Sequence, residues 1–126
     1  MSTDPSTTLL HAIVDHMRGA PDDWSAIAIV VALRGGRVGG THGFAYAADG
    51  TATPVASRPS GVDPAAQAYL ASRPEHAAQP PVAMLVQLDR DAGAYEITFE
   101  DADASRWAVT PATVGTMGET LRPHLG

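Results

Sequence analysis

The sequence predicts an α+β domain: an antiparallel sheet of about five strands covered by helices, in the order α-βββ-α-ββ-α, with residues 1–126 forming one unit. Three observations carry this reading. Asp4-Pro5, Asp63-Pro64 and Thr110-Pro111 each offer a side-chain oxygen as helix N-cap and a proline at the first helical position, where its missing N–H is no loss. Ala26 to Leu33 is an unbroken apolar run, β-branched in its middle, as a strand covered on both faces should be. Two glycine-bearing segments, Gly35 to Gly40 and Asp49-Gly50, divide the chain beyond that run into hairpins.

Taken in order, the first helix carries Leu9, Leu10, Ile13, Val14 and Met17 on one stripe, with Gly19 placed for a left-handed C-cap. Trp24 then enters the central strand, 26–33. A glycine-rich turn over 35–40 leads to a second strand near Thr41 to Ala47, and Asp49-Gly50 feeds a third over Thr51 to Val55. The second helix starts at Asp63-Pro64, carries Ala66, Tyr69, Leu70 and Arg73, and stops before Pro74; Pro74 to Pro81 is a connector. Val82 to Leu88 is a fourth strand. After the turn Asp89 to Gly93, the fifth alternates, with Tyr95, Ile97 and Phe99 facing the core and Glu96, Thr98 and Glu100 facing solvent. The third helix carries Val114, Met117 and Leu121 and ends before Pro123. Gly115 and Gly118 weaken it by roughly 1 kcal/mol each relative to Ala, so it depends on close packing.

Composition removes several functions. Hydrophobic residues make up 44% of the 126, so the chain can build a core and is neither disordered nor a membrane protein. There is no cysteine, which excludes thiol catalysis, disulfides, zinc ribbons and iron–sulfur clusters. Fourteen acidic residues against eight basic ones, all Arg, give a net charge of −6, a poor match for nucleic acid. Met1 to Thr8 is polar, without the basic and apolar segments of a signal peptide, which predicts a cytoplasmic location. The five histidines are dispersed, and His11 and His16 do not share a helix face as metal ligands would. The serines lack the G-x-S-x-G and S-x-x-K settings of nucleophiles. Arg34 to Gly40 lacks the Lys-Ser/Thr and the helix of a phosphate loop. With no catalytic constellation, the expectation is a non-enzyme without cofactor, metal or small-molecule substrate.

The acidic residues do concentrate. Asp89, Asp91, Glu96, Glu100, Asp101 and Asp103 lie in the last hairpin and its exit, and Asp22 and Asp23 could extend the patch. Such a face keeps a protein soluble and can also dock a basic partner. A calcium loop needs a glycine and a closing glutamate that Asp101 to Ser105 lacks. Both tryptophans border predicted elements. Trp107, just past Asp101 and Asp103, is the better interface candidate, although either is readily a core residue.

The order of these features resembles the YezG-like immunity (antitoxin) proteins of bacteria. The features are the N-terminal amphipathic helix, the Pro21-x-x-Trp24 step into an apolar strand and a second strand bearing Phe44 and Tyr46. Then come Tyr95-Glu-Ile-Thr-Phe99-Glu100-Asp101, Arg106-Trp107 and a closing segment ending Leu121-Arg122-Pro123. Thr51 to Pro81 and the Gly35 to Gly40 turn lie outside the resemblance. It implies a cytoplasmic protein that neutralises a cognate secreted toxin, often a nuclease domain whose basic site an acidic face can occupy. Asp89, Asp91, Glu96, Glu100, Asp101, Asp103 and Trp107 are then the expected partner-binding residues. The alternative is a regulatory or ligand-sensing module, or a secretion chaperone, which an apolar pocket between sheet and helices favours.

Overall fold

In the structure, a computed structural model, residues 4–103, 105–113 and 115–123 are described; Met1 to Thr3, Val114 of the expected third helix and His124 lie outside them. Helix α1 (Pro5–Asp15) begins as the sequence predicts, with the Asp4 carboxylate accepting the Ser6 N–H at 3.0 Å. It buries Leu9, Leu10 and Ile13 and stops at His16, short of Gly19. Met17–Arg18 leave it as a short strand, β1. Gly19, at φ +93°, turns the chain after β1 rather than capping the helix.

The remaining strands are β2 (Trp24–Arg34), β3 (Arg37–Ala47), β4 (Ala52–Ser57), β5 (Ala83–Asp89) and β6 (Ala94–Glu100). They form one antiparallel sheet of six strands in the order β1-β4-β3-β2-β5-β6, so β2 lies inside and β6 at an edge. The first hairpin is tighter than expected. Only Gly35 and Gly36 form its loop, at φ +60° and +83°, the positive values that a two-residue type I′ turn requires. Arg37 to Gly40 continue β3 beyond the predicted strand, across an irregularity at Ala32/Leu33.

Helix α2 (Pro59–Ala71) begins at Pro59, not at Asp63-Pro64. The chain is already anchored there, because the buried Ser57 hydroxyl donates to the Ile13 carbonyl at 2.7 Å and the Arg58 N–H to that of His16 at 3.0 Å. Pro59 takes the first helical position. Gly61 then passes against the His16 ring, where a Cβ has no room. Pro64 sits inside the helix, and Asp63 becomes a tie to the sheet instead of a cap. Its carboxylate accepts the Val38 N–H at 2.9 Å and pairs with Arg37 at 2.9 Å. The expected connector contains a short helix, α3 (Pro74–Ala78).

The expected third helix contracts to one turn, α4 (Met117–Thr120). The Thr113 hydroxyl accepts the Thr110 N–H at 2.8 Å and donates to the Ala108 carbonyl at 3.1 Å, local bonds that replace helical ones. Residues 111–113 and 115–116 run as turns.

The sheet is covered on both faces. On one, α1 and α2 bury Ile27, Ile29, Val31, Met84 and Val86. On the other, Ala28, Val30, Phe44, Tyr46 and Leu85 lie under Trp107, Met117 and Leu121 of the C-terminal segment. Hydrogen bonds pin that segment down. His42 Nε2 donates to the Trp107 carbonyl at 2.9 Å, the Tyr46 hydroxyl to Gly118 at 2.6 Å and the Gln87 amide to Leu121 at 2.8 Å. Burial pushes the Tyr46 phenol well above its ordinary value and keeps it a donor. Among the described residues no helix is long and apolar enough to cross a membrane.

Candidate functional site

The six hairpin carboxylates divide by what they do. β5 and β6 pair without a register shift from Ala83↔Glu100 to Asp89↔Ala94, and the acidic residues sit at both ends of this ladder. Asp89 accepts the Ala92 N–H at 2.9 Å and closes the hairpin turn, helped by Gly93 at φ +66°. Glu100 accepts the N–H groups of Asp103 and Ala102 at 3.1 Å each and pairs with Arg106 at 3.0 Å. Those backbone bonds, and Arg106 after them, hold its carboxyl below the usual range. Asp103 is held low in the same way by the Ser105 hydroxyl and N–H. These three carboxylates shape turns.

Asp91, Glu96 and Asp101 are exposed and have no side-chain hydrogen bond or ion pair among the described residues. Asp91 lies at the hairpin tip and Asp101 past the far end of β6, a strand roughly 20 Å long at ~3.3 Å per residue. The six therefore do not form one patch. Two further expectations are corrected. The sheet face bearing Glu96 and Glu100 is not open along its length, because the C-terminal segment covers it over the inner strands. Trp107, at 5% exposure, seals that cover with the Arg106 guanidinium 4.7 Å from its ring, so its indole is not presented to a partner.

Two large apolar side chains are exposed among the described residues, Val109 just past Trp107 and Tyr95 on β6. Tyr95, expected to be buried, is 44% exposed because β6 is an edge strand with no neighbour to complete its cover. Its hydroxyl shares a 2.8 Å hydrogen bond with that of Ser6. Beside it a groove of about 410 Å³ runs between α1 and the β5–β6 turn, walled by Leu10, Val14, Trp24, Leu88 and Tyr95, with His11, Asp15 and Arg90 also lining it. The volume falls in the range of ligand and side-chain pockets. Arg90 stacks on the Trp24 ring at 3.9 Å, and its guanidinium donates to the Asp22 and Trp24 carbonyls. This fixes one wall of the groove. From the sequence Tyr95 reads as a core residue and His11 only as a discarded metal ligand, and Arg90 and Asp15 carry no site role. The signal was the spacing on α1, where His11 and Asp15 each follow an apolar residue, Leu10 and Val14, four apart.

Among the described residues no group of three or more His, Cys, Asp or Glu side chains is placed to hold a metal ion. No family model, curated protein or solved structure matches this chain.

Proposed function

We propose that this chain is a binding protein of the immunity type, which holds a cognate toxin domain at the α1/β5–β6 end of its sheet. One observation carries the reading: an apolar groove with an exposed tyrosine is bordered by carboxylates that have no side-chain partner among the described residues. Asp15 lines the groove, Asp91 stands at the hairpin tip and Glu96 follows Tyr95 on the edge strand. Asp22 and Asp23 precede Trp24 and are also exposed. Tyr95 and the groove supply an anchor. The carboxylates supply steering toward a basic partner, and charges around such a site act mainly on the rate of association. The resemblance in element order to YezG-like immunity proteins supports the same reading. The partner surface is thus narrower than the sequence suggests, centred on Asp91, Glu96 and Tyr95, because Asp89, Glu100, Asp103 and Trp107 are engaged within the fold.

The test needs a candidate toxin domain, sought in the gene directly upstream of this chain's gene. Co-expression with that toxin domain should protect the host cell. Asp91→Arg/Glu96→Arg should bind it more weakly, chiefly through a slower association rate, with the melting temperature within about 1 °C of the parent, since neither residue has a partner to lose. Unchanged binding by the double variant removes the acidic-rim reading, and failure to protect removes immunity.

The groove also favours a second reading, a ligand-sensing or regulatory module. A ligand entering it contacts Trp24, so Trp24 fluorescence responding to a small apolar compound in the absence of any protein partner supports that reading instead.

A further inference from the structure

We infer that this chain associates with a second copy of itself by pairing β6 against β6, antiparallel, about a two-fold axis at Ile97. β6 ends the sheet. Its inner edge is paired with β5 throughout, and no strand pairs with its outer edge among the described residues. The strand is regular, has no proline and carries the exposed Tyr95. Such an edge is a template for strand addition, whereas the opposite edge, β1, has only two residues.

Symmetry and charge select one register. A two-fold axis relating antiparallel neighbours in one sheet stands perpendicular to it. Residues that meet across the axis therefore face the same side, and the axis passes midway between one residue and its own copy. An axis at Glu96 sets Glu96 against Glu96 of the second copy. An axis at Thr98 sets Glu96 against Glu100 on both sides. An axis at Tyr95 or Phe99 overlaps only three residues of the strand. An axis at Ile97 overlaps all seven and opposes Glu96 to Thr98 and Glu100 to Ala94, so no carboxylate meets another directly. It also brings Tyr95 opposite Phe99 twice, flanking a central isoleucine pair. Phe99 is already fixed for that contact, stacked on Tyr69 with ring centres 6.0 Å apart and 4.0 Å from the His76 ring. The two Glu96 side chains remain diagonal neighbours across the axis, so salt should tighten the dimer.

The dimer covers Tyr95 and Glu96, which the partner reading also uses, so partner and second copy compete for this edge; ultracentrifugation of the chain without a partner tests the dimer alone. Analytical ultracentrifugation of the full chain over a concentration series should show a monomer–dimer equilibrium that shifts to dimer with added salt. Thr98→Glu places like charges opposite each other twice and should raise the dimer dissociation constant about tenfold. Glu96→Lys/Thr98→Glu opposes unlike charges in the same register and should restore it. The chain has no cysteine, so Ile97→Cys offers a single thiol at the axis and should oxidise to a disulfide-linked dimer. Circular dichroism of each variant establishes that it is folded. A chain that stays monomeric throughout the series, a folded Thr98→Glu variant that dimerises as tightly as the parent, or Ile97→Cys that fails to cross-link overturns the proposal.

Discussion

Trp107→Ala examines the architecture at its least expected point, the second cover of the sheet. The indole is 5% exposed and packs with Met117 and Leu121 over Val30, Phe44 and Leu85. A buried tryptophan contributes roughly 200 Å², or about 5 kcal/mol at 25 cal/mol per Å² as an upper bound. The cover is a single irregular segment that can partly collapse into the space, so a loss of about 3 kcal/mol is expected. For a chain of this length that lowers the melting temperature by about 10 °C. Thermal melts followed by far-UV circular dichroism measure it, with Trp107→Phe as a milder control expected to lose about 1 kcal/mol. A Trp107→Ala melt within about 1 °C of the parent refutes the packed cover and returns Trp107 to the surface as a partner-binding side chain.

Gly43 faces Ile29 across β2 and β3, and a Cβ there runs into the Ala28 carbonyl and the Ile29 backbone. Gly43→Ala should therefore lose about 3 kcal/mol or more, read as a lower denaturant midpoint, because neither strand can yield inside the sheet. Asp63 gives a pH signature. The Val38 N–H, then the Gln67 amide and Arg37, lower its folded pKa against a smaller opposing effect of burial. Its contribution is thus present above its ordinary value of 3.8 and lost as pH falls through the lower folded value. Asp63→Asn should be less stable than the parent at pH 7, with the gap closing below about pH 3.8 in acid-unfolding curves; a gap independent of pH contradicts this assignment.

The sheet was legible because its signals are local. The Ala26 to Leu33 run has no polar face, which predicts a strand covered on both sides, and β2 lies inside the sheet with a cover on each face. The alternation of β6 set Glu96 and Tyr95 on opposite faces. It did not reveal that β6 is the edge strand, so Tyr95 reads as buried. The start of α2 was misread, since Asp63-Pro64 offers a capping carboxylate before its proline and Arg58-Pro59 does not. Tertiary contacts of Ser57, Arg58 and Gly61 with the end of α1 decided for Pro59. The site was only half readable. Charge counts identified the hairpin, but whether a carboxylate closes a turn, as in Asp89, Glu100 and Asp103, or stands free, as in Asp91 and Glu96, depends on backbone geometry. The groove joins α1 to residues about eighty positions away, and no local pattern reports such a meeting.

Hydrogen exchange of the chain, alone and mixed with a toxin domain found in a neighbouring gene, tests the proposed docking surface most directly. Slower exchange over residues 7–15 of α1 and 88–97 of the β5–β6 hairpin, with residues 105–121 unchanged, is the predicted footprint. Protection confined to the C-terminal segment or to the β3–β4 turn contradicts it.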